Sequence, residues 1–337
     1  MDQIVEDRNA LFRDVLTHLD SVRANSTTLD EVLLRRASRN ADSHTPRATL
    51  WQVLAQGEST LQALQEDPRP LTRLLEQVVL SLPFDELKET ITSDKLEEGL
   101  TSPVVPIQLL ILAYLLKAAE SPSGAAFVAC SPSLTLTLVT TWLSSGSTEV
   151  ADKCLDVVTA LLTVDSPTTS TFIVSSTAGG EAHGQGLLWR RMFSDPEVYI
   201  LLFEWTSLSK SKHNVSTKKG LQQATISQGR LFDCLARLAQ VDWRQITTSS
   251  LPDVERQFMI GDAASQPFGG ILRYAATDMI DPSDYLMEVL RQDFFAKLLG
   301  VVEDTNSRGV DSRMLEAIQA GTGNHSNGEM NGNGMHL

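Results

Sequence analysis

Cysteine is scarce in this chain of 337 residues. Cys130, Cys154 and Cys234 lie far apart and form no CxxC motif. This spacing disfavours a disulfide framework and a structural zinc site, and it favours a reducing compartment. Each of the three lies in an apolar helical pattern, so we expect all three to pack in the core. We expect a cytoplasmic protein, with the nucleus as a second location.

Motifs for catalysis and ligand binding are also missing. The histidines are scattered, and no HExxH, HxE or paired-histidine spacing occurs. No GxxxxGK or GxGxxG loop is present to hold a phosphate, and no GxSxG elbow is present to expose a nucleophile. We therefore expect no metal, no cofactor and no enzyme activity. The six histidines are His18, His44, His183, His213, His325 and His336.

No apolar run is long enough to span a membrane. The most apolar stretch, Ile107 to Leu116, is much shorter than the roughly 20 residues that a spanning helix needs. The opening sequence MDQIVEDRNALF is charged and amphipathic, unlike a signal peptide. We expect a soluble protein with no membrane partner.

Positive charge is in short supply: 28 Lys and Arg residues face 42 Asp and Glu residues, and the formal net charge is −14. Such a chain repels nucleic acid and anionic lipid, so we expect no direct nucleic acid partner. An acidic surface suits a basic patch on another protein. A basic run from Lys210 to Lys219 has no interleaved aromatic residue, which favours a solvated loop over a nucleic acid site.

Strand alternation is missing, whereas helix-period apolar patterns recur along the chain. The Thr-rich run Leu134 to Thr141 has strand propensity, but its length and its place between helices predict a helix. Residues 166–186 and 209–219 are predicted loops. The predicted helices after the first 70 residues include Leu71 to Leu82, Ile107 to Ala119, Ser133 to Leu143, Thr148 to Thr163, Leu187 to Phe193, Glu197 to Leu208, Leu221 to Gln240, Asp253 to Met259, Ile271 to Met279, Ser283 to Val302 and Ser312 to Gln319.

Helix pairs in series, separated by Pro or Ser/Gly breaks, are typical of an α-solenoid, because each pair must stack on the next to bury its apolar face. We therefore predict an all-α fold, a solenoid of degenerate helical repeats over residues 1–320. Residues 101–320 carry the clearer pattern and 1–100 the weaker one. The Gly/Asn-rich residues 321–337 predict a disordered tail. The irregular spacing leaves a non-repeating helical bundle as the alternative.

One stretch, Leu138 to Leu162, resembles an armadillo/HEAT repeat. It has an aliphatic pair, a small polar turn, then Glu149-Val150 and the small residues Ala151 and Cys154 in a packing face. Three further blocks, 106–127, 186–199 and 227–231, are together similar to the fungal branch of the proteasome non-ATPase regulatory subunit 5 family. The resemblance is good over about 100–300 and weak before that, and members of the family are usually longer.

The resemblance implies a HEAT/armadillo-type chaperone that assembles the base of the 26S proteasome regulatory particle. Its partners would be the C-terminal domain of one proteasomal ATPase subunit and other base subunits, and it would be monomeric when unbound. Two alternatives stay open. One is a generic armadillo-type adaptor, and the other is a DNA mismatch-repair accessory protein, a label the family also carries.

The candidate partner-binding residues are charged. In a solenoid the second helix of each pair lines the concave face, which would expose Glu149, Asp152 and Asp156 of the Thr148 to Thr163 helix. The alternative is that they only keep the helix soluble. Trp189, Arg190 and Arg191 are typical of an interface hot spot, although Trp189 could instead be a core residue with capping arginines. Further layers would add Glu204, Arg230 and Arg237.

Overall fold

The computed structural model describes residues 2–25, 27–167, 184–260, 267–304 and 310–323. Within these ranges every regular element is helical and none is a strand, so the all-α prediction is confirmed. The run Leu134 to Thr141 lies inside a helix, as predicted. The chain forms two compact units, residues 1–192 and 193–337.

Ten helices are described before residue 168 in the first unit. They are α1 (Asp2–Asn25), α2 (Glu31–Ser38), α3 (Arg47–Ala63), α4 (Arg69–Ser81), α5 (Phe84–Leu87), α6 (Ser93–Leu100), α7 (Val105–Ala118), α8 (Pro122–Ala129), α9 (Pro132–Ser144) and α10 (Thr148–Asp165). Helix α11 (Leu187–Ser194) contains the boundary between the units. The described helices of the second unit are α12 (Pro196–Glu204), α13 (Lys218–Val241), α14 (Trp243–Thr247), α15 (Pro252–Glu255), α16 (Gly270–Arg273), α17 (Tyr285–Asp304) and α18 (Ser312–Gly321).

Short polar residues followed by proline start several helices. The hydroxyl of Ser121 accepts a hydrogen bond from the backbone N–H of Gly124, and Ser131 and Asp195 cap α9 and α12 in the same way. Proline follows each cap, where its fixed φ suits the first helical turn and its missing N–H is not needed. The Ser-Pro and Asp-Pro pairs that interrupt the apolar pattern in the sequence are therefore the starts of helices.

The first unit is built from pairs of adjacent helices. Helix α1 packs on α2, α3 on α4, α6 on α7 and α9 on α10. The second members of these pairs also contact one another in the order α2, α4, α7, α10. Helix α7 is apolar nearly all round, with Leu110 to Leu115 buried, and it contacts α4, α6, α8 and α10. A helix without a polar face needs such cover on every side.

The second unit has an aromatic core around Phe203. Its ring lies 4.7 Å from Tyr274, 5.1 Å from Tyr199 and 5.2 Å from Phe258, measured between centroids. Tyr199 donates a hydrogen bond of 2.9 Å to the buried carboxylate of Glu255. Burial, together with that carboxylate, raises the pKa of Tyr199, so the phenol stays protonated and remains a donor.

One predicted helix has a different form. The stretch Ile271 to Met279 is not a single α-helix, because a π-helical turn, Tyr274–Asp278, follows α16. The side-chain amide of Gln228 donates to the carbonyls of Met279, at 2.7 Å, and Thr206, at 2.8 Å. A π-helical turn is wider than an α-helical turn. With this turn, Tyr274 is buried and the carbonyl of Met279 reaches the side-chain amide of Gln228.

Two further predictions need correction. Cys130 is exposed at the end of α8, whereas Cys154 and Cys234 are buried as expected. It lies one residue past the helix, where the chain turns away from the core. The predicted loop 209–219 ends early, because Lys218 and Lys219 already belong to α13, which Thr217 caps.

Several expectations concern residues outside the described ranges. They include most of the loop 166–186, with His183, and residues 324–337 of the predicted tail, with His325 and His336. Gly321, the first residue of the predicted tail, closes α18 and lies against Phe295. None of the described helices has by itself both the length and the apolarity of a membrane span; α8 and α9 reach them only together, across a bend of 92°.

Gly124 gives the first testable prediction. A Cβ at this position would overlap the backbone carbonyl of Ala118, whereas a Cβ at Gly229 of α13 would meet open space. Both glycines are helical, so alanine improves helix propensity equally in the two. We expect Gly124→Ala to lower the free energy of unfolding by roughly 1–3 kcal/mol. Gly229→Ala should instead raise the free energy of unfolding by up to about 1 kcal/mol.

Urea unfolding followed by circular dichroism measures the free energy of unfolding of both variants. Shifts of the same sign in the two variants would contradict the packing of Gly124 against Ala118.

Candidate partner-binding surface

Helix α10 separates an apolar face from a charged one. Its apolar side chains are buried against α7 and α9, whereas Glu149, Asp152 and Asp156 are exposed. These three acidic residues lie at spacings of three and four, so they share one side of the helix. The helix begins as the sequence predicts, after the Ser147 cap, and ends at Asp165, two residues later than expected.

The acidic stripe, which we define as Glu149, Asp152 and Asp156, has one basic residue between its members: Lys153 lies four residues after Glu149 and three before Asp156. Like charges three or four residues apart destabilise a helix by a few tenths of a kcal/mol per pair. Only Glu149 lies in the first turn, where the helix dipole favours a negative charge. The like-charge pairs of the stripe are thus offset by pairs of opposite charge with Lys153, and the stripe presents a net negative charge to solvent.

Glu76 of α4 belongs to the same electrostatic environment. Burial raises the pKa of its carboxyl to about 6. Lys153 of α10 and Arg73 of α4 act in the opposite direction, and Glu149 adds to the increase. Sequence reasoning did not identify Glu76, because it is more than seventy residues away from α10 along the chain. Glu76 lies in the charged face of an amphipathic helix, and this pattern does not indicate that α10 is near it in the folded protein.

The Trp189 cluster in α11 is a mixture of core and surface. Trp189 is 2% exposed, and its indole N–H donates to the carbonyl of Leu162 at 2.8 Å, so the core interpretation of this residue is confirmed. Arg190 is exposed, and Nε of Arg191 donates to the carbonyl of Ala129 at 3.4 Å. The arginines therefore contact backbone carbonyls at the end of α8 and the start of α11.

A buried carboxylate positions that helix, although it was not among the predicted site residues. Asp165, 1% exposed at the end of α10, accepts hydrogen bonds from the backbone N–H groups of Leu188 at 2.7 Å and Trp189 at 3.3 Å. It satisfies donors that the first turn of α11 would otherwise leave unpaired. No local pattern indicates it, because a long segment separates the cap from the helix that it caps.

The remaining predicted site residues lie in the second unit. Glu204, at the end of α12, forms an ion pair of 2.9 Å with Lys212. Lys212 also lies over the ring of Trp205, so this part of the 209–219 loop is paired rather than only solvated. Arg230 and Arg237 lie on α13, where Arg230 lowers the pKa of His213 in addition to the effect of burial. The structure thus places Glu204, Arg230 and Arg237 in a different unit from the acidic stripe.

In the described part of the chain, no three His, Cys, Asp or Glu side chains form a group that could hold a metal ion. His18 is an ordinary boundary residue, as expected: it is half-buried, and its Nε2 accepts a hydrogen bond of 2.9 Å from the backbone of Asp30.

No protein-family model and no curated protein matches the chain.

Glu76 gives the second prediction. Its pKa is raised in the folded state, from 4.5 to about 6, so the folded protein holds this proton more tightly than the unfolded chain. The stability it contributes is therefore present below pH 4.5 and is lost as the pH rises towards 6. Glu76→Gln, which mimics the protonated form, should raise the free energy of unfolding by about 1–2 kcal/mol at pH 7.5 and have little effect at pH 4.5.

Urea unfolding at the two pH values measures this difference. Glu98→Gln is the matched control, because Glu98 is exposed on α6. It should leave the free energy of unfolding unchanged at both pH values. A Glu76→Gln variant with the same effect at pH 4.5 and 7.5 would show that burial does not perturb this carboxyl.

Proposed function

We propose that this chain is a non-catalytic chaperone or scaffold for the base of the 26S proteasome regulatory particle. It binds the C-terminal domain of one ATPase subunit, in company with other base subunits, during assembly. The proposal rests on the similarity of blocks 106–127, 186–199 and 227–231 to the regulatory subunit 5 family. The all-helical architecture is compatible with it.

In this proposal the helices form an α-solenoid of degenerate HEAT/armadillo-like repeats. The paired packing of the first unit supports this part, since the second helices of successive pairs contact one another from α2 through α4 and α7 to α10. Stacked repeats contact their neighbours in this way and offer one face of the row to a partner.

The structural observation that supports the proposal is the acidic stripe of α10. Its carboxylates are exposed on the last described member of that row. A basic surface of an ATPase domain would complement them. Single exposed ion pairs contribute at most about 1 kcal/mol, so binding needs several of these charges together.

The third prediction tests the stripe. The double variant Asp152→Lys with Asp156→Lys reverses two of its three charges. We expect it to weaken binding of a purified proteasomal ATPase C-terminal domain by roughly tenfold or more, through lost attraction and new repulsion. Titration calorimetry against each ATPase domain measures the effect, and circular dichroism should show unchanged helicity.

The matched control is Glu89→Lys with Glu98→Lys, which changes the net charge equally at exposed residues outside α10. Its affinity should stay close to that of the unmodified chain. Equal weakening by the two double variants would assign the effect to net charge alone. Unchanged binding by the folded Asp152/Asp156 variant would remove the stripe from the partner interface.

A generic adaptor is the second candidate function, and one observation favours it. Helix α17 exposes an apolar strip, Tyr285, Leu286, Val289 and Leu290, of which Tyr285 is 83% and Leu286 65% exposed. Exposed apolar side chains that adjoin one another are typical of protein-interaction sites. The strip lies far along the chain from α10, so an adaptor could use it without the acidic stripe.

The fourth prediction separates the two functions. In affinity purification from cells, the chaperone should recover proteasomal ATPases without the mature 20S core, and Asp152→Lys with Asp156→Lys should remove them. Tyr285→Ser with Leu286→Ser should leave that recovery intact, because these side chains lie in the second unit and are mostly exposed. If the serine variant alone loses partners and those partners are unrelated to the proteasome, the adaptor function is favoured.

A further inference from the structure

A basic groove runs between α2 and α4 in this acidic protein. It has a volume of about 310 Å³, and a second concavity of about 410 Å³ adjoins it and shares Arg35 and Arg39. Five arginines line the two: Arg35, Arg36 and Arg39 from α2 and its end, and Arg69 and Arg73 from α4. All five are exposed. We call this surface the arginine groove.

Within the lining of the groove, arginines outnumber carboxylates. Only two carboxylates, Glu31 and Asp67, line it, and Glu31 pairs with Arg35 at 3.2 Å. Among the described residues, the other four arginines form no ion pair within 4 Å. These four are Arg36, Arg39, Arg69 and Arg73. The groove thus holds a local positive surplus in a chain of net charge −14.

Helix stability explains only part of this arrangement. Arg35 and Arg36 lie in the last turn of α2, where the helix dipole favours positive charge. Arg69 is the first residue of α4, and that first turn contains no acidic residue, so the dipole of α4 opposes the charge of Arg69. The C-terminal end of α2 and the N-terminal end of α4 have opposite dipole polarity, yet both carry arginine. This arrangement places the guanidinium groups together and lowers the stability of α4 slightly.

We propose that the arginine groove binds a carboxylate-rich segment of a partner protein. Guanidinium groups bind carboxylates through two parallel hydrogen bonds, and several groups along a groove match an extended acidic peptide. Val32 is 75% exposed at the edge of the groove and offers an apolar contact to a side chain of that peptide. The arginine groove needs carboxylates on its partner, whereas the acidic stripe needs basic groups on its partner. The inference therefore goes beyond the proposed function and does not depend on it.

An acidic peptide fits the groove better than a nucleic acid does. The residues that line the two concavities, all within the described ranges, include no aromatic side chain on which a base could stack. Glu31 and Asp67 would repel a continuous phosphate backbone, whereas a short peptide can place its carboxylates between them. The remaining charge of the chain is also unfavourable for long polyanions.

The fifth prediction uses the full chain and defined probes. A fluorescein-labelled peptide of alternating Glu and Leu should bind, with its affinity falling as salt is raised, whereas the same peptide with Gln for Glu should not. Arg39→Gln with Arg73→Gln should weaken binding by roughly tenfold, because it removes two guanidinium groups that lack an internal ion pair. Fluorescence anisotropy measures the affinities.

Two further variants complete the test. Arg13→Gln with Arg244→Gln changes the net charge equally at exposed arginines outside the groove, and it should bind the peptide like the unmodified chain. Arg36→Gln with Arg69→Gln is an independent groove pair, and it should reproduce the loss if the first pair disturbs folding. Equal binding of the Glu and Gln peptides, or equal weakening by groove and control variants, would overturn the proposal. Tighter, groove-dependent binding of a single-stranded oligonucleotide than of the peptide would overturn it in favour of nucleic acid.

Discussion

The burial of α7 is the constraint on which the first unit depends. Leu112 and Leu115 are fully buried, as is Ala118, and the helix has no side that could face water. Each such leucine contributes about 2 kcal/mol when it is removed from solvent, so the helix is stable only with neighbours all round it. Contacts with α4 on the preceding pair and α10 on the following one supply that cover.

The polar groups of α7 are satisfied at its edges. The phenol of Tyr114, only 2% exposed, donates to Glu58 at 2.6 Å, and the ammonium of Lys117 donates to the carbonyl of Leu80 at 2.9 Å. Burial, with the nearby Glu58 carboxylate, raises the pKa of Tyr114, so its proton stays available to that bond. The exposed charged residues of α4 and α10 lie on outward faces, whereas Asp165 at the end of α10 is buried.

The sequence was most informative where structure is decided locally. The Ser-Pro and Asp-Pro pairs mark helix starts because cap and proline act within one turn, and the Leu134 to Thr141 helix follows from its neighbours. Asp165 could not be predicted, because its partners are more than twenty residues further along the chain. The carbonyl of Met279, directly after the π-helical turn, accepts a hydrogen bond from Gln228, again a distant residue.

The candidate site divides in the same way. Periodicity alone placed Glu149, Asp152 and Asp156 on one exposed face, since a single regular helix carries all three. It could not reveal Glu76 beside Lys153, nor the arginine groove, because each combines residues of two helices that only packing brings together. In the groove, the spacing of Arg35 and Arg39 matches that of Arg69 and Arg73, four residues in each case, but a pattern within one helix does not say which helix lies opposite.

The packing of α2, α4, α7 and α10 therefore determines the electrostatics of the surface as well as the core. The row from α2 to α10 begins with exposed guanidinium groups and ends with exposed carboxylates. Glu76 lies between these extremes, where Arg73 and Lys153 both lower its pKa against the effect of burial. A surface with separated charges of both signs discriminates among partners better than a uniformly acidic one, because a partner in the wrong orientation meets like charge at both ends. The net charge of −14 describes the whole chain, but recognition depends on this local separation.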